Sequence, residues 1–407
     1  MTEIKVPNIS EGEKFIQKIL DYQTLTVKWD EVWKIPEFKK LKTTEQTPIW
    51  HGEGVVANHI IKTVEEMYKL CPIEPSDVIM SVGEGSLRWR RRFYLVLAAL
   101  FHDIGKGVTT KWDKKKKDWT SPHHDEEGEK IVRRLLWDWD YHSREFLCAL
   151  VRNHMKPLYV LEKADPEKEI ISLSEETNGM DMLLTLKRAD CAGSVMQRYD
   201  GWRETLDEVE KKARNLNCFN ESYFFNDIEE RHKFYFGEEF PKVLLNVYVL
   251  IGLPGSGKST YYENNLKGKD IPIVSRDIIR SEIGLKGDKP QGNQRQEEKV
   301  TKIFNERLKE YAENNFSIAI DNTSLKQCYR DGFKRMLKKY RPFYTYVYVE
   351  APTWQDTLDR RKGQIPEHII TNMRKSFEFP RPCEYDILIV NKQTKNDYQR
   401  VYIEGEE

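Results

Sequence analysis

Residues 247–260 read Val-Tyr-Val-Leu-Ile-Gly-Leu-Pro-Gly-Ser-Gly-Lys-Ser-Thr. A β-branched, apolar run of strand type ends at Gly252. The pattern Gly-x-x-x-x-Gly-Lys-Ser then follows as Gly252, Gly257, Lys258 and Ser259. Small residues let successive backbone N–H groups curl around phosphate oxygens, and the helix that follows offers its positive N-terminus. Lys258 reaches the β- and γ-phosphates and the Ser259 hydroxyl ligates Mg²⁺, with Gly255 and Thr260 completing the loop. A plain turn between strand and helix would use similar residues, but every fixed position of the phosphate-binding pattern is filled. Such a loop specifies a nucleoside triphosphate and leaves open a motor, a switch or a kinase.

Working outward, apolar segments at Ile271–Val274, Phe316–Ile320, Tyr344–Val349 and Ile387–Val390 alternate with helical stretches, notably Glu297–Asn314 and Leu325–Lys339. Strands alternating with helices predict a parallel sheet in an α/β domain. Upstream of a polar, Pro-containing link at Gly237–Lys242 the character changes. Arg92–Phe101 reads as a buried helix, and Ile131–Trp139, Phe146–Val151 and Met182–Ala189 carry apolar residues at helical spacing. No alternating strand pattern stands out there. Two domains are expected: an all-α one over 1–240 with its core at about 50–236, and an α/β one over 241–407. Trp29, Trp33 and Phe38 are spaced to pack on a helical face, and Lys114–Lys117 reads as a solvated loop tip with nucleic-acid contact as the alternative.

Lys plus Arg and Asp plus Glu both number 66, so any basic surface for nucleic acid must be local. The six cysteines are scattered without a C-x-x-C pair, against zinc knuckles and disulfide scaffolds and in favour of a reducing compartment. No apolar run approaches the ~20 residues of a membrane span, and Met-Thr-Glu-Ile-Lys-Val lacks a signal-peptide core. A cytoplasmic enzyme with no membrane partner is the expectation.

A second constellation lies upstream. Phe101-His102-Asp103-Ile104-Gly105-Lys106 ends the apolar helix, and neither His nor Asp is an ordinary choice beside a buried run unless paired or liganded. His51, His59, His123 or His124, His154 and Asp190 are further candidates for one metal site. In this order His59, His102-Asp103, His124, His154 and Asp190 resemble the HD phosphohydrolase superfamily, an all-helical metal-dependent fold. His51-Gly-Glu-Gly-Val-Val-Ala-Asn-His59 is similar to its H-x-E-G-x-V-x-x-H segment. His124-Asp-Glu-Glu-Gly is similar to G-H-D-E-x-G, with His123 where that segment has Gly. Asn153-His154 and Arg188-Ala-Asp190 are similar to the last two ligand segments.

The additional histidines are similar to members that hold two metals, with Asp103 between them. The resemblance implies metal-assisted hydrolysis at phosphorus, with Lys106 on a phosphate oxygen and His51 and Glu53 positioning the site or donating a proton. Mixed His/carboxylate ligation suits Mn²⁺, Co²⁺, Ni²⁺, Fe²⁺ or Zn²⁺.

Downstream of the loop, Ser275-Arg-Asp277-Ile-Ile-Arg280 places Asp and Arg on one face of any helix that begins there. A carboxylate can deprotonate an attacking hydroxyl while a cation holds the acceptor's phosphate. An N-capping Asp with a solvated Arg would look the same. Ala319-Ile-Asp321-Asn322-Thr323 ends another strand, where α/β enzymes gather ligands, and Asp359-Arg360-Arg361-Lys362 precedes a helix as a candidate lid. This order resembles the 5′-hydroxyl polynucleotide kinases. The resemblance implies Asp277 as general base for the 5′-OH, Arg280 as clamp on the adjacent phosphate and Asp321 as its brace. It implies Asn322 beside the acceptor, and Arg360 or Arg361 as lid over ATP. Ser324 stands where many relatives continue D-N-T with Asn, and the lid arginines are adjacent.

The combination resembles the HD-Pnk family of nucleic-acid end-healing enzymes. It implies hydrolysis of 2′,3′-cyclic phosphate and 2′- or 3′-phosphate ends, ATP-dependent phosphorylation of 5′-OH ends with Mg²⁺, RNA or DNA ends as substrate, and a separate ligase downstream. The alternatives are an HD nucleotide phosphohydrolase fused to a small-molecule (nucleoside or sugar) kinase, and a pair of non-catalytic ligand sensors.

Overall fold

The computed structural model describes residues 10–72, 87–196, 201–241, 245–285, 294–393 and 398–404. The chain divides into two compact units, Met1–Phe224 and Phe225–Glu407.

The first unit is helical. Three short helices, α1 (Glu11–Ile19), α2 (Trp29–Val32) and α3 (Pro36–Leu41), precede α4 (Val56–Leu70) and α5 (Leu87–Phe101). Every side chain from Leu95 to Phe101 is fully buried, so the second half of α5 is apolar all round and forms the axis of the core, while its first half carries Arg88 and Arg90–Arg92. Helices α4, α8 (Tyr141–Asn153) and α10 (Asp181–Gly193) pack around it, with α7 (His124–Leu135), α9 (Pro166–Thr177) and α11 (Trp202–Asn215) outside. Asp140 and Asp165 cap α8 and α9, accepting from the Ser143 and Lys168 N–H groups, which fixes where each helix begins. The N-terminal aromatics pack as the spacing suggests. Trp29 stacks on Trp33, and the buried Phe38 meets Phe101 at 5.3 Å between ring centres.

One feature departs from the all-α expectation. After the short α6 (Lys106–Thr109), an antiparallel hairpin pairs β1 (Lys111–Asp113) with β2 (Asp118–Thr120). Three-residue strands are too short to print an alternating pattern. Its turn is the Lys114–Lys117 run, all four side chains exposed.

In the second unit β3 (Asn246–Ile251), β4 (Ile273–Ser275), β5 (Ile318–Asp321), β6 (Phe343–Glu350), β7 (Ile387–Gln393) and β8 (Tyr398–Glu404) form one sheet. Its order is β4-β5-β3-β6-β7-β8. The first five strands are parallel, and β8 is an antiparallel edge that the periodicity did not flag. Helices α13 (Lys258–Asn265), α14 (Arg276–Glu282), α15 (Gln294–Glu313) and α16 (Gln327–Leu337) provide connections, followed by α17 (Trp354–Asp359) and α18 (Glu367–Lys375). Because β3 lies between β5 and β6, the ends of β3, β5 and β4 converge at one rim, where open α/β sheets bind ligands.

The unit boundary falls upstream of the Gly237–Lys242 link, part of which lies outside the described residues. Helix α12 (Ile228–Phe236) belongs to the second unit because its polar side chains are satisfied there. Buried Arg231 donates to the Tyr385 and Asp386 carbonyls at 3.0 Å, and His232 Nδ1 lies 2.5 Å from Asp386 Oδ1. No helix among the described residues is long and apolar enough to cross a membrane.

Candidate functional sites

In the first unit His59 comes from α4, His102 and Asp103 from the turn that ends α5, and His124 from the first residue of α7. His154 lies at the C-cap of α8 and Asp190 in α10. Gly105 makes the convergence possible. A Cβ there would lie 1.9 Å from the His124 carbonyl oxygen, so any other residue would force α7, and His124 with it, away from Asp103.

The six side chains form two halves that share Asp103. His59 Nε2 lies 2.9 Å from Asp190 Oδ1 and 3.1 Å from His102 Nε2. Asp103 Oδ2 faces this half, 3.5 Å from His59 Nε2 and 3.3 Å from His102 Nε2. Its other oxygen, Oδ1, faces His124 Nε2 at 3.3 Å and His154 Nε2 at 3.8 Å, while those two nitrogens are 3.3 Å apart.

The second nitrogens set the tautomers. Nδ1 of His102, His124 and His154 donates to the carbonyls of Ala99, Ser121 and Val151 at 2.7–2.8 Å. In the neutral rings this turns their Nε2 atoms, as lone-pair donors, into the centre, where those of His124 and His154 lie 3.3 Å apart. With metal–nitrogen bonds of about 2.1 Å, octahedral and tetrahedral angles put ligand nitrogens about 3.0 to 3.4 Å apart, so the donor set fits divalent ions. In His59, burial pulls the pKa down but the Asp190 and Glu53 carboxylates override it and hold it at about 9. Burial alone would raise Asp103 and Asp190. Lys106 and His102 hold Asp103 well below the carboxylate range, and Lys187 and His59 do the same for Asp190.

Around this centre Lys106 Nζ lies 2.7 Å from Asp103 Oδ2 and 2.8 Å from Gln46 Oε1, and it donates to His51 Nε2 at 3.3 Å. His51 Nδ1 in turn lies 2.8 Å from Glu53 Oε1, and burial together with the Lys106 charge lowers His51 to about 4. Neutral His51 is thus an acceptor for Lys106, which fits positioning better than proton donation. Glu53 is 3.0 Å from His59 Nδ1 and accepts from the Val195 N–H at 2.9 Å, tying the loop before α4 to the end of α10. Two contributors escaped the sequence reading. Buried Lys187 bonds Asp190 Oδ2 at 2.6 Å; its only signal was its place one helical turn before Asp190. Gln46 had none. A cavity of about 780 Å³ opens over Asp103, His124 and His154, lined also by Trp50, Trp119 and Tyr159.

In the second unit the phosphate-binding loop joins β3 to α13. A Cβ on Gly252 would lie 2.5 Å from the Val349 carbonyl, and Gly255 and Gly257 have φ of 83° and 104°, so glycine is demanded at each. Lys258 Nζ is parked on the Gly252 and Leu253 carbonyls at 2.9 and 3.1 Å. Burial lowers its pKa against the opposing pull of Asp321 and Asp277. Ser259 Oγ donates to Asp321 Oδ2 at 3.2 Å, the pairing of hydroxyl and strand-end carboxylate that holds Mg²⁺ in P-loop enzymes.

Asp321 therefore does not brace Arg280. Arg280 spans from Asp277 Oδ1, 2.6 Å from Nη1, to Glu297 on α15, whose two oxygens it meets at 2.9 and 3.0 Å. Asp321 sits at the end of β5, beside the loop, and Glu297 was the brace the sequence did not reveal. Asn322 Oδ1 accepts from the Thr323 N–H at 2.9 Å. The adjacent arginines separate. Arg360 Nη1 donates to the Gly255 carbonyl at 3.1 Å, while the Arg361 charge is felt by both Lys258 and Asp321.

Residues 56–179 match the family model of the HD domain, and residues 247–380 match an AAA domain model. The chain is 29% identical over 165 residues to L-seryl-tRNA(Sec) kinase of Methanococcus maripaludis, covering 38% of this chain and 62% of that one. It is 23% identical over 181 residues to a bifunctional uridylyltransferase/uridylyl-removing enzyme of Idiomarina loihiensis, covering 43% of this chain and 19% of that one. The chain thus spans less than two thirds of either relative. A sugar kinase structure from Janibacter sp. HTCC2649 is similar at 18% identity and a TM-score of 0.27, over 37% of this chain and 85% of that one, a likeness too slight to build on. The chain joins an N-terminal helical HD domain, whose fold implies a divalent metal, to a C-terminal P-loop kinase-like domain, which implies ATP and Mg²⁺.

Proposed function

We propose that the protein heals broken nucleic-acid ends. Its HD unit removes 2′,3′-cyclic phosphate and 2′- or 3′-phosphate, and its kinase unit phosphorylates 5′-OH with ATP. The observation that carries the kinase half is the Asp277–Arg280–Glu297 arrangement beside the P-loop. Asp277 is more than half exposed, yet close enough to Lys258 and Asp321 to bias both. An exposed carboxylate next to a clamped guanidinium suits a hydroxyl acceptor that carries a phosphate one position away. A relative whose name gives an aminoacyl-tRNA as substrate supports an acceptor carried on nucleic acid.

In the transfer step Asp277 takes the proton of the 5′-hydroxyl, whose oxygen attacks the γ-phosphorus as the bond to the β-phosphate oxygen breaks and ADP leaves. Lys258 leaves its carbonyl perches for the β- and γ-oxygens, and Arg361 adds charge as the lid. Ser259 and Asp321 would hold Mg²⁺, which supplies charge against the phosphate oxygens. Arg280 holds the acceptor's phosphate, with Asn322 beside it.

In the HD unit His59, His102, Asp190 and Asp103 would hold one divalent ion, and Asp103, His124 and His154 a second. When bound, such ions supply Lewis-acid charge and a more acidic water. The chain's own part is to aim these donors, to meet a phosphate oxygen with Lys106, and to keep Lys106 in place through Gln46, His51 and Glu53. A separate ligase would join the healed ends.

The test is acceptor choice. With ATP and Mg²⁺, 5′-OH oligonucleotides are expected to be phosphorylated far better than nucleosides or sugars. Phosphorylation confined to the small molecules would replace this reading with a nucleotide phosphohydrolase joined to a small-molecule kinase.

A further inference from the structure

The hairpin β1–β2 is inserted between the two sequence segments that supply Asp103 and His124, and it is anchored rather than loose. The Asp118 carboxylate accepts from the Thr47 hydroxyl, in the segment that leads to His51, and Thr110 Oγ1 lies 2.7 Å from Ser121 Oγ across the hairpin base. Asp113 Oδ1 accepts from the Lys115 and Lys116 N–H groups at 2.8 and 3.1 Å and so fixes the lysine turn.

Trp119 lines the cavity over the HD centre and is backed edge-on by Trp112, with ring centres 5.4 Å apart. Trp50 and Tyr159 stand at the same cavity, 44% and 48% exposed. Three large rings gathered at one cavity make a contiguous apolar surface of the kind that marks a binding groove. The space, about 780 Å³, also far exceeds the needs of a terminal phosphate. Lys111 and Lys116 line it as well, with the remaining exposed lysines of the turn beyond.

We propose that this hairpin, with Trp50 and Tyr159, is the platform for the single-stranded segment 5′ to the terminal phosphate. One or more nucleobases stack on the aromatic rings, and the phosphodiesters behind them meet Lys111 and Lys114–Lys117. Aromatic faces beside a lysine run are the combination that grips single strands without reading their sequence. An acidic peptide would use the lysines and leave the rings idle. The inference rests on the end-healing reading and adds what the HD unit holds besides the phosphate.

The test compares kcat/KM for a short 3′-phosphorylated oligoribonucleotide with that for the matching 3′-mononucleotide. Trp119→Ala should lower the ratio on the order of tenfold, and Trp119→Phe, which keeps a ring, should restore most of it. Replacing Lys114–Lys117 together by Ala should also lower the ratio. It should flatten the log–log salt dependence by about 0.7 for each phosphate that is no longer neutralised. In a titration with the 3′-hydroxyl product strand, which is not turned over, tryptophan fluorescence should be quenched, and less so in Trp119→Phe. Unchanged ratios in both variants, with oligonucleotide ends still processed, overturn the platform and leave end healing standing. Sensitivity to the lysines but not to Trp119 overturns it in favour of a generic polyanion surface. Failure of the wild type on both substrates with every divalent metal overturns the end-healing reading itself.

Discussion

The two centres differ in what holds their polar groups when no ligand is considered. At the P-loop each key side chain already has a protein partner: Lys258 two carbonyls, Ser259 a carboxylate, Arg280 two carboxylates. ATP must draw Lys258 off its two carbonyls, while the Arg280–Glu297 brace stays, so this site keeps its groups partnered before its substrates arrive. In the HD centre six fully or nearly buried side chains from four helices and one turn face one another at 2.9–3.8 Å, and two of the imidazoles meet Nε2 to Nε2. A divalent cation suits that arrangement of converging nitrogens and carboxylates. One centre is built around its ligand, whereas the other is merely ready for it.

The largest expected effect separates the two chemistries. Asp103→Ala should lower 3′-end hydrolysis by a factor on the order of 10³ or more, because it removes the carboxylate shared by both halves, and leave 5′ phosphorylation intact. Asp277→Ala should do the reverse. Second comes the response to chelation. If the HD centre needs its cation, stripping metal should cost the first unit about 2.7 kcal/mol relative to protein at a hundredfold excess over Kd. In calorimetry the transition of the helical unit should move, and the transition of the kinase unit should stay. Two unmoved transitions would show that the HD centre is as self-sufficient as the P-loop.

A smaller effect tests the brace. Glu297→Gln should lower kcat/KM for the 5′-OH strand roughly tenfold, about 1.4 kcal/mol, with little change in the KM for ATP. An equal rise in both KM values would assign Glu297 to general folding instead. The smallest concerns His123, exposed and at φ 55° immediately before His124 of the cluster. A left-handed non-glycine residue costs about 1–2 kcal/mol, partly offset by the entropy a glycine would lose. His123→Gly should therefore stabilise the first unit by about 0.5 kcal/mol in denaturant melts.

That residue shows what the sequence made legible and why. Both departures from family patterns, His123 in place of Gly and Ser324 in place of Asn, fall on positive φ values of 55° and 48°. They keep the backbone conformation for which Gly and Asn are the usual choices. The His/Asp cluster and the glycine-rich loop were readable because the chemistry such groups serve fixes residue type and spacing at once. So was the α/β character, since parallel strands are buried on both faces and read as apolar runs.

What was not readable came from tertiary contact. Glu297 reaches Arg280 from a different helix, Gln46 reaches Lys106 across 60 positions, and Asp321 turns to Ser259 because β5 lies beside β3. The hairpin was hidden by its short strands, and edge strand β8 by the uneven spacing of Tyr398, Val401, Tyr402 and Ile403, so neither carried a period. Helix α12 went to the second unit through Arg231 and His232, which no composition change announced.

That two independent centres treat the two sides of one break is tested most directly on a single RNA strand with a 5′-OH and a 2′,3′-cyclic phosphate. The strand is incubated with ATP, Mg²⁺ and a transition-metal ion, and with wild type, Asp103→Ala or Lys258→Ala. Wild type should yield 5′-phosphate and 3′-OH. Asp103→Ala should yield 5′-phosphate with the cyclic end retained, and Lys258→Ala should yield 3′-OH with the 5′-OH retained. Loss of both reactions from either substitution in a folded protein, or a wild type that alters neither end, would contradict it.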